Sequence, residues 1–362
     1  MRRRSNSNRP RAGRRGDRPW LFLLFLGMVG YLVWDAYFRP IPPVYRSAGG
    51  LELYFAPRQG REAKARLIGL IRAAQNRVEV AALELEDREI GQALVEAAAR
   101  GVKVRMLNDS DYRRETRESL GVPGNDPARC ETLRQVQVCY DSRPNALMHH
   151  KFVLIDSWGV WSGSANLTWN AFERNNENSL WLPVQGLVQL YRAEFEALFA
   201  GQESGLGRSE SFQLGDTEGT VYFSPAGGRA ARGAILELLG RAKREIWVAA
   251  YVLTDIRIIE ALTDAHRRGL QVRVVIDARN LENSKEEILQ QAGVDVRRDG
   301  NPYAMHHKAM VVDGEWVVTG SYNFTNSGFG RNNENLLILR DPDLARRYRD
   351  EVETIWRAGN RL

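Results

Sequence analysis

The sequence predicts an α/β protein of two homologous lobes, each a mixed β-sheet flanked by helices. First, residues 148–156, Met-His-His-Lys-Phe-Val-Leu-Ile-Asp, recur 157 positions later as Met-His-His-Lys-Ala-Met-Val-Val-Asp. Second, residues 78–82 and 101–105 have similar counterparts at an offset of 168. Third, apolar strand-like runs alternate with helix-length stretches in both halves, which is typical of α/β lobes.

The predicted elements follow the same order in each lobe. A short apolar strand precedes a helical stretch, a second strand, a second helix, a third strand, the motif strand and a closing amphipathic helix. In the first lobe the residues are 51–55, 62–75, 78–82, 90–100, 101–105, 151–155 and 187–199; in the second they are 221–223, 230–242, 246–250, 258–268, 269–273, 308–312 and 344–356. The lobes therefore occupy residues 51–200 and 218–362, joined by a Gly- and Ser-containing linker at 201–217.

The N-terminal region differs in character from the lobes. Residues 1–19 hold eight arginines and one aspartate, whereas the rest of the chain sums to a charge of −1. Residues 20–38 carry one charge, Asp35, and as a helix would reach about 28 Å, which predicts a transmembrane signal-anchor. By the positive-inside rule, residues 1–19 are then a cytoplasmic tail. The lobes, after a linker at 39–50, lie on the exported side of the cell membrane. A cleaved signal peptide is the alternative.

The two cysteines, Cys130 and Cys139, lie in one loop. Between Asp109 and His149 the first lobe is 11 residues longer than the second, and both cysteines fall there. On the exported side of a membrane a disulfide is permitted and would close this loop, whereas in a reducing compartment the two would be thiols. Sequence proximity leaves the bridge open.

The two motifs concentrate groups that suit phosphodiester cleavage. Four of the five histidines lie in them. Two histidines can supply a nucleophile and a proton, and two lysines can neutralise the phosphoryl oxygens. Residues two apart on a strand share a face, so His149 with Lys151, and His306 with Lys308, are predicted to face one site. The second histidine of each motif points the other way and is predicted to be structural.

Both motifs are followed by the tails Gly-Ser-x-Asn and Asn-Glu-Asn. Hydroxyl and amide groups of the first tail can donate hydrogen bonds to a phosphate, and the predicted phosphate ligands are Ser164, Asn166, Ser321 and Asn323. Each histidine needs a partner that fixes its tautomer, and the candidates are Glu177 and Glu334. Each glutamate lies 28 residues after the first histidine of its own motif.

The remaining motif residues have a predicted supporting role. Asp156 and Asp313 complete the catalytic motifs, but their odd spacing from the histidines predicts that they anchor the strand-to-turn geometry. Gly163 and Gly320 are predicted to let the backbone approach a ligand closely. The sequence contains no His-Glu-x-x-His and no Cys-x-x-Cys pattern, so neither a metal nor a cofactor is predicted.

These residues resemble the phospholipase D superfamily, whose signature is His-x-Lys-x4-Asp followed by Gly-Ser-x-Asn, usually twice. The resemblance covers nearly all of residues 51–362. It implies two α/β lobes related by a pseudo-twofold, one active site at the seam, and a metal-independent mechanism through a phosphohistidine. It also implies that His149 is the nucleophile and that His306 protonates the leaving group.

The sequence leaves the substrate open. The predicted anchor and the near-neutral lobes favour a phospholipid-directed hydrolase or phosphatidyl transferase. The tails resemble those of small bacterial nucleases, so an exported, anchored endonuclease that cleaves DNA or RNA is the second hypothesis, although the lobes lack a basic excess. An inactive phosphate-binding scaffold is the third. The predicted partners are the substrate and a membrane contacted through residues 20–38, and no protein partner is required.

Overall fold

The computed structural model describes residue 27 and residues 43–362, apart from residues 206 and 208. Residues 43–362 form one compact unit. The predicted tail at 1–19 and the predicted membrane segment at 20–38 lie outside the described residues, residue 27 excepted. In the described part of the chain, no helix combines the length and the apolar character that crossing a bilayer requires.

The first lobe contains a nine-stranded mixed sheet. Its strands are β1 (Tyr45–Arg46), β2 (Glu52–Ala56), β3 (Arg77–Ala82), β4 (Lys103–Asp109), β5 (Cys130–Leu133), β6 (Val136–Asp141), β7 (Lys151–Ile155), β8 (Gly159–Gly163) and β9 (Glu177–Leu182). Their order across the sheet is β1-β2-β9-β8-β7-β3-β4-β6-β5. The motif strand β7 lies between β8 and β3, both antiparallel to it, and is buried at every position.

The second lobe repeats this sheet. Its strands are β10 (Glu210–Leu214), β11 (Thr217–Ser224), β12 (Glu245–Ala250), β13 (Gln271–Ile276), β14 (Asp295–Arg298), β15 (Lys308–Val312), β16 (Trp316–Gly320), β17 (Glu334–Arg340) and β18 (Asn360–Arg361). The order is β10-β11-β17-β16-β15-β12-β13-β14-β18. Motif strand β15 has the same place as β7, between β16 and β12, so each lobe presents its motif from an equivalent position.

Helices cover both faces of the two sheets, which is why the central strands are apolar along their whole length. The α-helices are Gly60–Ala73, Arg88–Ala99, Arg113–Ser119, Trp169–Glu173, Gln185–Phe199, Gly228–Arg241, Ile256–Arg267, Glu286–Gln291, Asn326–Gly330 and Pro342–Ala358. The closing helices Gln185–Phe199 and Pro342–Ala358 share one apolar core with residues from both sheets. The other long helices pack on the outer face of their own lobe. The shared core joins the two lobes and brings their motif strands to a common seam.

The extra residues of the first lobe form a hairpin at the edge of its sheet. Strands β5 and β6 pair antiparallel, with Cys130 opposite Cys139, and the two cysteines form a disulfide. In the second lobe the corresponding edge is occupied by β18, from the end of the chain. Strand β5 thus takes the place of β18 as the outermost strand, whereas β6 corresponds to β14.

Candidate active site

The seam is built by short backbone pairings between the lobes. The His149 N–H donates to the Asn333 carbonyl at 3.0 Å, and the Asn333 N–H donates to the Leu147 carbonyl at 2.9 Å. The same pattern holds in reverse, since the His306 N–H donates to the Asn176 carbonyl at 2.9 Å. Each motif therefore lies directly beside the Asn-Glu-Asn tail of the opposite lobe.

This crossing corrects the histidine–glutamate pairing suggested by the sequence. The constant 28-residue spacing suggested a partner within each lobe. Instead, Nδ1 of His149 lies 2.7 Å from Oε2 of Glu334, and Nδ1 of His306 lies 2.8 Å from Oε1 of Glu177. Each histidine thus takes its carboxylate from the other lobe. A carboxylate at Nδ1 holds the proton there and leaves Nε2 for the substrate side.

The two lysines are held by the motifs themselves. Nζ of Lys151 donates to the His149 carbonyl at 2.8 Å, and Nζ of Lys308 donates to the His306 carbonyl at 2.8 Å. Burial lowers the pKa of Lys151 to about 8 and that of Lys308 to about 7, against the opposing attraction of nearby glutamates. An anionic ligand beside these buried ammonium groups would stabilise their charged forms and raise both pKa values.

Burial also disfavours the charged form of both histidines. It lowers the pKa of His149 to about 4, although the charge of Glu334 opposes this shift. The pKa of His306 is lowered well below its usual range, first by burial and then by Lys308, Lys151 and His149. These mutual effects mean that the motif histidines and lysines of both lobes act on one another. Both crossed histidine–glutamate pairs lie at the same seam, and that the four groups serve one site stays a prediction.

The Gly-Ser-x-Asn tails divide into two kinds of position. Oγ of Ser164 donates to Glu177 Oε2 at 2.6 Å and accepts from the Asn178 N–H, while Oγ of Ser321 accepts from the Asn335 N–H. Both serines are fully buried. The structure thus corrects the predicted role of Ser164 as a phosphate ligand, because its hydroxyl hydrogen is donated to Glu177. The Ser321 hydroxyl supports the equivalent strand by accepting from Asn335, and its role as a phosphate ligand stays a prediction.

Two asparagines have amides available for a ligand. Asn166 and Asn323, predicted as phosphate ligands, each have a buried side-chain oxygen without a hydrogen-bond partner among the described residues. A buried polar atom that lacks a partner in the protein is costly unless something else binds it. These oxygens accept hydrogen bonds, as phosphate oxygens do, so a contact to phosphate would come from the Nδ2 group of each side chain, and on that ground both asparagines stay predicted phosphate ligands.

Asp156 and Asp313 lie at the far ends of the motif strands, about 16 Å along the strand from the lysines. The Asp156 carboxylate accepts three backbone N–H groups, from residues 75–77, at 2.7–2.8 Å. Asp313 accepts the equivalent three, from residues 243–245, at 2.7–3.2 Å. Both aspartates therefore occupy anchoring positions, as their spacing predicted, and they lie away from the reacting groups.

Gly163 and Gly320 serve the sheet, which corrects the expected approach to a ligand. Their φ angles are 149° and 135°. A Cβ on Gly163 would lie 2.2 Å from the Asn178 carbonyl oxygen, and one on Gly320 would lie 2.2 Å from that of Asn335. Glycine is required because the neighbouring glutamate-bearing strand passes too close for any side chain.

Sequence reasoning missed the asparagines that flank the glutamates. Nδ2 of Asn178 donates to Thr319 Oγ1 at 3.0 Å, and its oxygen lies 3.2 Å from Nδ1 of His307. Asn335 makes the equivalent contacts with Ser162 and His150. These bonds cross the seam and hold the second histidine of each motif in a buried, supporting place. The repeated Asn-Glu-Asn is the signal in the sequence that marks these asparagines.

Comparison with known proteins agrees with this geometry. A family model described as "Cardiolipin synthase, PLD-like domain" matches residues 67–199 and 235–356, more than two thirds of the chain. A phospholipase D of Rickettsia felis is 38% identical over 131 residues, which are 36% of this chain and 64% of that protein. The human mitochondrial cardiolipin hydrolase is 34% identical over 135 residues, which are 37% of this chain and 54% of that protein.

Among solved structures, phosphatidylserine synthase of Haemophilus influenzae matches over 88% of this chain and 89% of its own. Its TM-score is 0.61 and its sequence identity is 15%, so this likeness concerns the fold. The matched region spans less than two thirds of the two sequence relatives. With its duplicated motif, its two nine-stranded lobes and a family model that matches both, the chain belongs to the phospholipase D superfamily of phosphodiesterases.

Proposed function

We propose that the chain is a metal-independent phosphodiesterase that cleaves phospholipids at a membrane in two steps through a phosphohistidine. The observation that carries the proposal is the crossed pairing of His149 with Glu334 and of His306 with Glu177. Because each lobe orients the histidine of the other, both Nε2 atoms serve one site. A single phosphorus between them would meet a nucleophile on one side and a proton donor on the other.

In the first step, Nε2 of His149 attacks the phosphorus and the bond to the leaving alcohol oxygen breaks. The proton on Nε2 of His306 moves to that oxygen. In the second step, His306 takes a proton from water, or from an acceptor alcohol, and the resulting oxygen displaces His149 from phosphorus. With water as the acceptor the reaction is hydrolysis, and with an alcohol as the acceptor it is phosphatidyl transfer. The assignment of the nucleophile to His149 follows the superfamily resemblance.

The protonation states suit these roles. Burial keeps the pKa of His149 near 4, so its imidazole is neutral and nucleophilic at neutral pH. Burial raises the pKa of Glu177 to about 7, so the Glu177–His306 pair can hold a proton between its members. An anionic phosphodiester in the pocket favours the imidazolium and raises the pKa of His306. Substrate binding thus favours protonation of His306, the general acid, at the stage when His149 attacks the phosphorus.

Phospholipids are the proposed substrates, for three reasons. The two sequence relatives described above are named as a phospholipase D and a cardiolipin hydrolase. The chain beyond residue 19 has a net charge of −1, which gives little general attraction for a polyanion. The predicted anchor at residues 20–38 would hold the enzyme at its substrate, with the lobes on the exported side. The competing hypothesis is an anchored endonuclease; the complete motifs argue against an inactive scaffold.

The test compares two substrates in EDTA. The full chain in detergent is given labelled phosphatidylglycerol or single-stranded DNA. We expect lipid turnover without DNA cleavage, and loss of turnover in His149→Ala and His306→Ala with unchanged circular dichroism. Reactions quenched in denaturant at alkaline pH, where the phosphohistidine P–N bond survives, should trap label on His149 in the wild type. DNA cleavage without lipid turnover would reject the lipid proposal, and label on His306 alone would reverse the roles.

A further inference from the structure

An exposed aromatic–arginine cluster lies beside the seam. Among the described residues only five large apolar side chains are clearly exposed, and two of them, Trp169 at 42% and Tyr303 at 39%, flank the same arginine. The Arg174 guanidinium carbon is 4.4 Å from the centre of the Trp169 ring and 4.7 Å from that of Tyr303. The three side chains, here called the WRY cluster, form one surface from both lobes.

The WRY cluster is tied to the active site by short chain segments. Tyr303 precedes His306 by three residues, and Trp169 follows Asn166 by three, so each ring is within about 10 Å of backbone from a site residue. Asn301 Nδ2 donates to the Arg174 carbonyl at 3.1 Å across the seam. This bond links Arg174 to the segment that leads into the motif of His306.

The WRY cluster breaks the symmetry of the repeat. The positions equivalent to Trp169, Arg174 and Tyr303 are Asn326, Arg331 and Ala146. At these equivalent positions the chain has an arginine and no aromatic residue. The chemistry of the site is built from two equivalent halves, so a one-sided feature is not required by that chemistry. A one-sided feature can instead contact only one of the two groups esterified to the scissile phosphate, or a surface that the enzyme approaches from that side.

The positive charge of Arg174 is available to a ligand. Among the described residues its side chain has no carboxylate within ion-pair distance, and its polar contact is Asn170 Oδ1 at 3.5 Å. The guanidinium lies over both rings, and much of Trp169 and of Tyr303 is still exposed to solvent. Trp and Tyr rings that have one apolar and one polar side suit the headgroup level of a bilayer, and an arginine between them suits a lipid phosphate.

We propose that the WRY cluster is the surface by which the mouth of the active site docks on a phospholipid bilayer. This inference rests on the proposed lipid substrate and adds the part of the lobes that meets the lipid. A carboxylate on the same edge argues against a nucleic-acid strand as the occupant, since Glu86 accepts from the Trp169 N–H at 3.0 Å. A polyanion tracking along this edge would be repelled, whereas a single lipid phosphate needs only Arg174.

The test separates docking from chemistry with two substrates. Full-chain variants are assayed on vesicles of phosphatidylglycerol and phosphatidylethanolamine, and on soluble bis-p-nitrophenyl phosphate. We expect the Trp169→Ala/Tyr303→Ala double variant to lose about tenfold or more in kcat/KM on vesicles, because its affinity for the vesicle surface falls by that factor. Turnover of the soluble diester should be unchanged. Arg174→Gln should show a smaller loss on vesicles only.

Matched controls come from the same chain. Trp158 is exposed to 38% at the far end of the β7 strand, and Arg331 is the symmetry equivalent of Arg174, so Trp158→Ala and Arg331→Gln should leave both activities unchanged. Vesicle turnover equal to wild type in the double variant would overturn the inference. So would a parallel loss on the soluble diester. A wild type that turns over no vesicle lipid would reject the proposed function itself.

Discussion

Replacing Glu334 by glutamine tests the crossed geometry most directly. The substitution keeps the shape of the side chain but removes the charge 2.7 Å from Nδ1 of His149. A buried hydrogen bond to a charged group contributes about 1.5–3 kcal/mol, which corresponds to a rate loss of about 10- to 150-fold if the bond is felt in the transition state. We expect this loss in the step that forms the phosphohistidine.

A p-nitrophenyl phosphodiester makes the two steps separable, because its leaving group needs little protonation. With Glu334→Gln, we expect a slow burst of nitrophenolate and little trapped phosphohistidine, because His149 is the weakened group. With the matched variant Glu177→Gln, we expect a normal burst followed by slow turnover, because His306 then fails to activate water. Phosphohistidine should accumulate in that variant.

The result that would refute this reasoning is an exchange of the two phenotypes. If Glu334→Gln accumulated phosphohistidine and Glu177→Gln lost the burst, each glutamate would act within its own lobe, or the histidine roles would be reversed. Mapping the trapped phosphate to His149 or His306 by mass spectrometry decides between these. Thermal melting of both variants serves as the control for folding.

Three further predictions concern charge and support. Burial lowers the pKa of Lys308 to about 7 and that of Lys151 to about 8. As pH rises through this range the phosphate-binding charge is lost, so kcat/KM should fall. In Lys308→Arg the alkaline limb of the pH profile should move to higher pH, because the guanidinium stays charged. Asp156→Ala removes the acceptor of three backbone N–H groups and should lower the free energy of unfolding, measured in urea, by about 2–4 kcal/mol. Asp156→Asn should lower it by less. An equal loss in both variants would contradict the anchoring role. Gly163→Ala should cost roughly 2 kcal/mol in the same measurement, because its Cβ would meet the Asn178 carbonyl; unchanged stability would show that the strands can move apart.

The sequence predicted the two-lobed α/β fold because its signals are local and duplicated. Apolar runs, helix-length stretches and a motif at constant offset can be recognised without knowing which strands are neighbours. The anchoring role of Asp156 was likewise predictable, because strand alternation alone places it on the opposite face from His149. The sequence did not reveal that strand β5 lies at the edge of the first sheet, at the position that β18 has in the second. Strand order depends on pairing between distant parts of the chain.

The amino-acid sequence by itself determined the inventory of the site: two histidines, two lysines, two glutamates and the amides that accompany them. The tertiary structure decided their partners. The glutamates contact histidines 129 and 185 residues away, across a seam that exists only once two separately covered sheets share a core. Periodicity and spacing describe neighbours within a strand or lobe, whereas contacts between lobes depend on how two finished surfaces fit together. That fit placed Glu177 and Glu334 opposite the histidine of the other repeat.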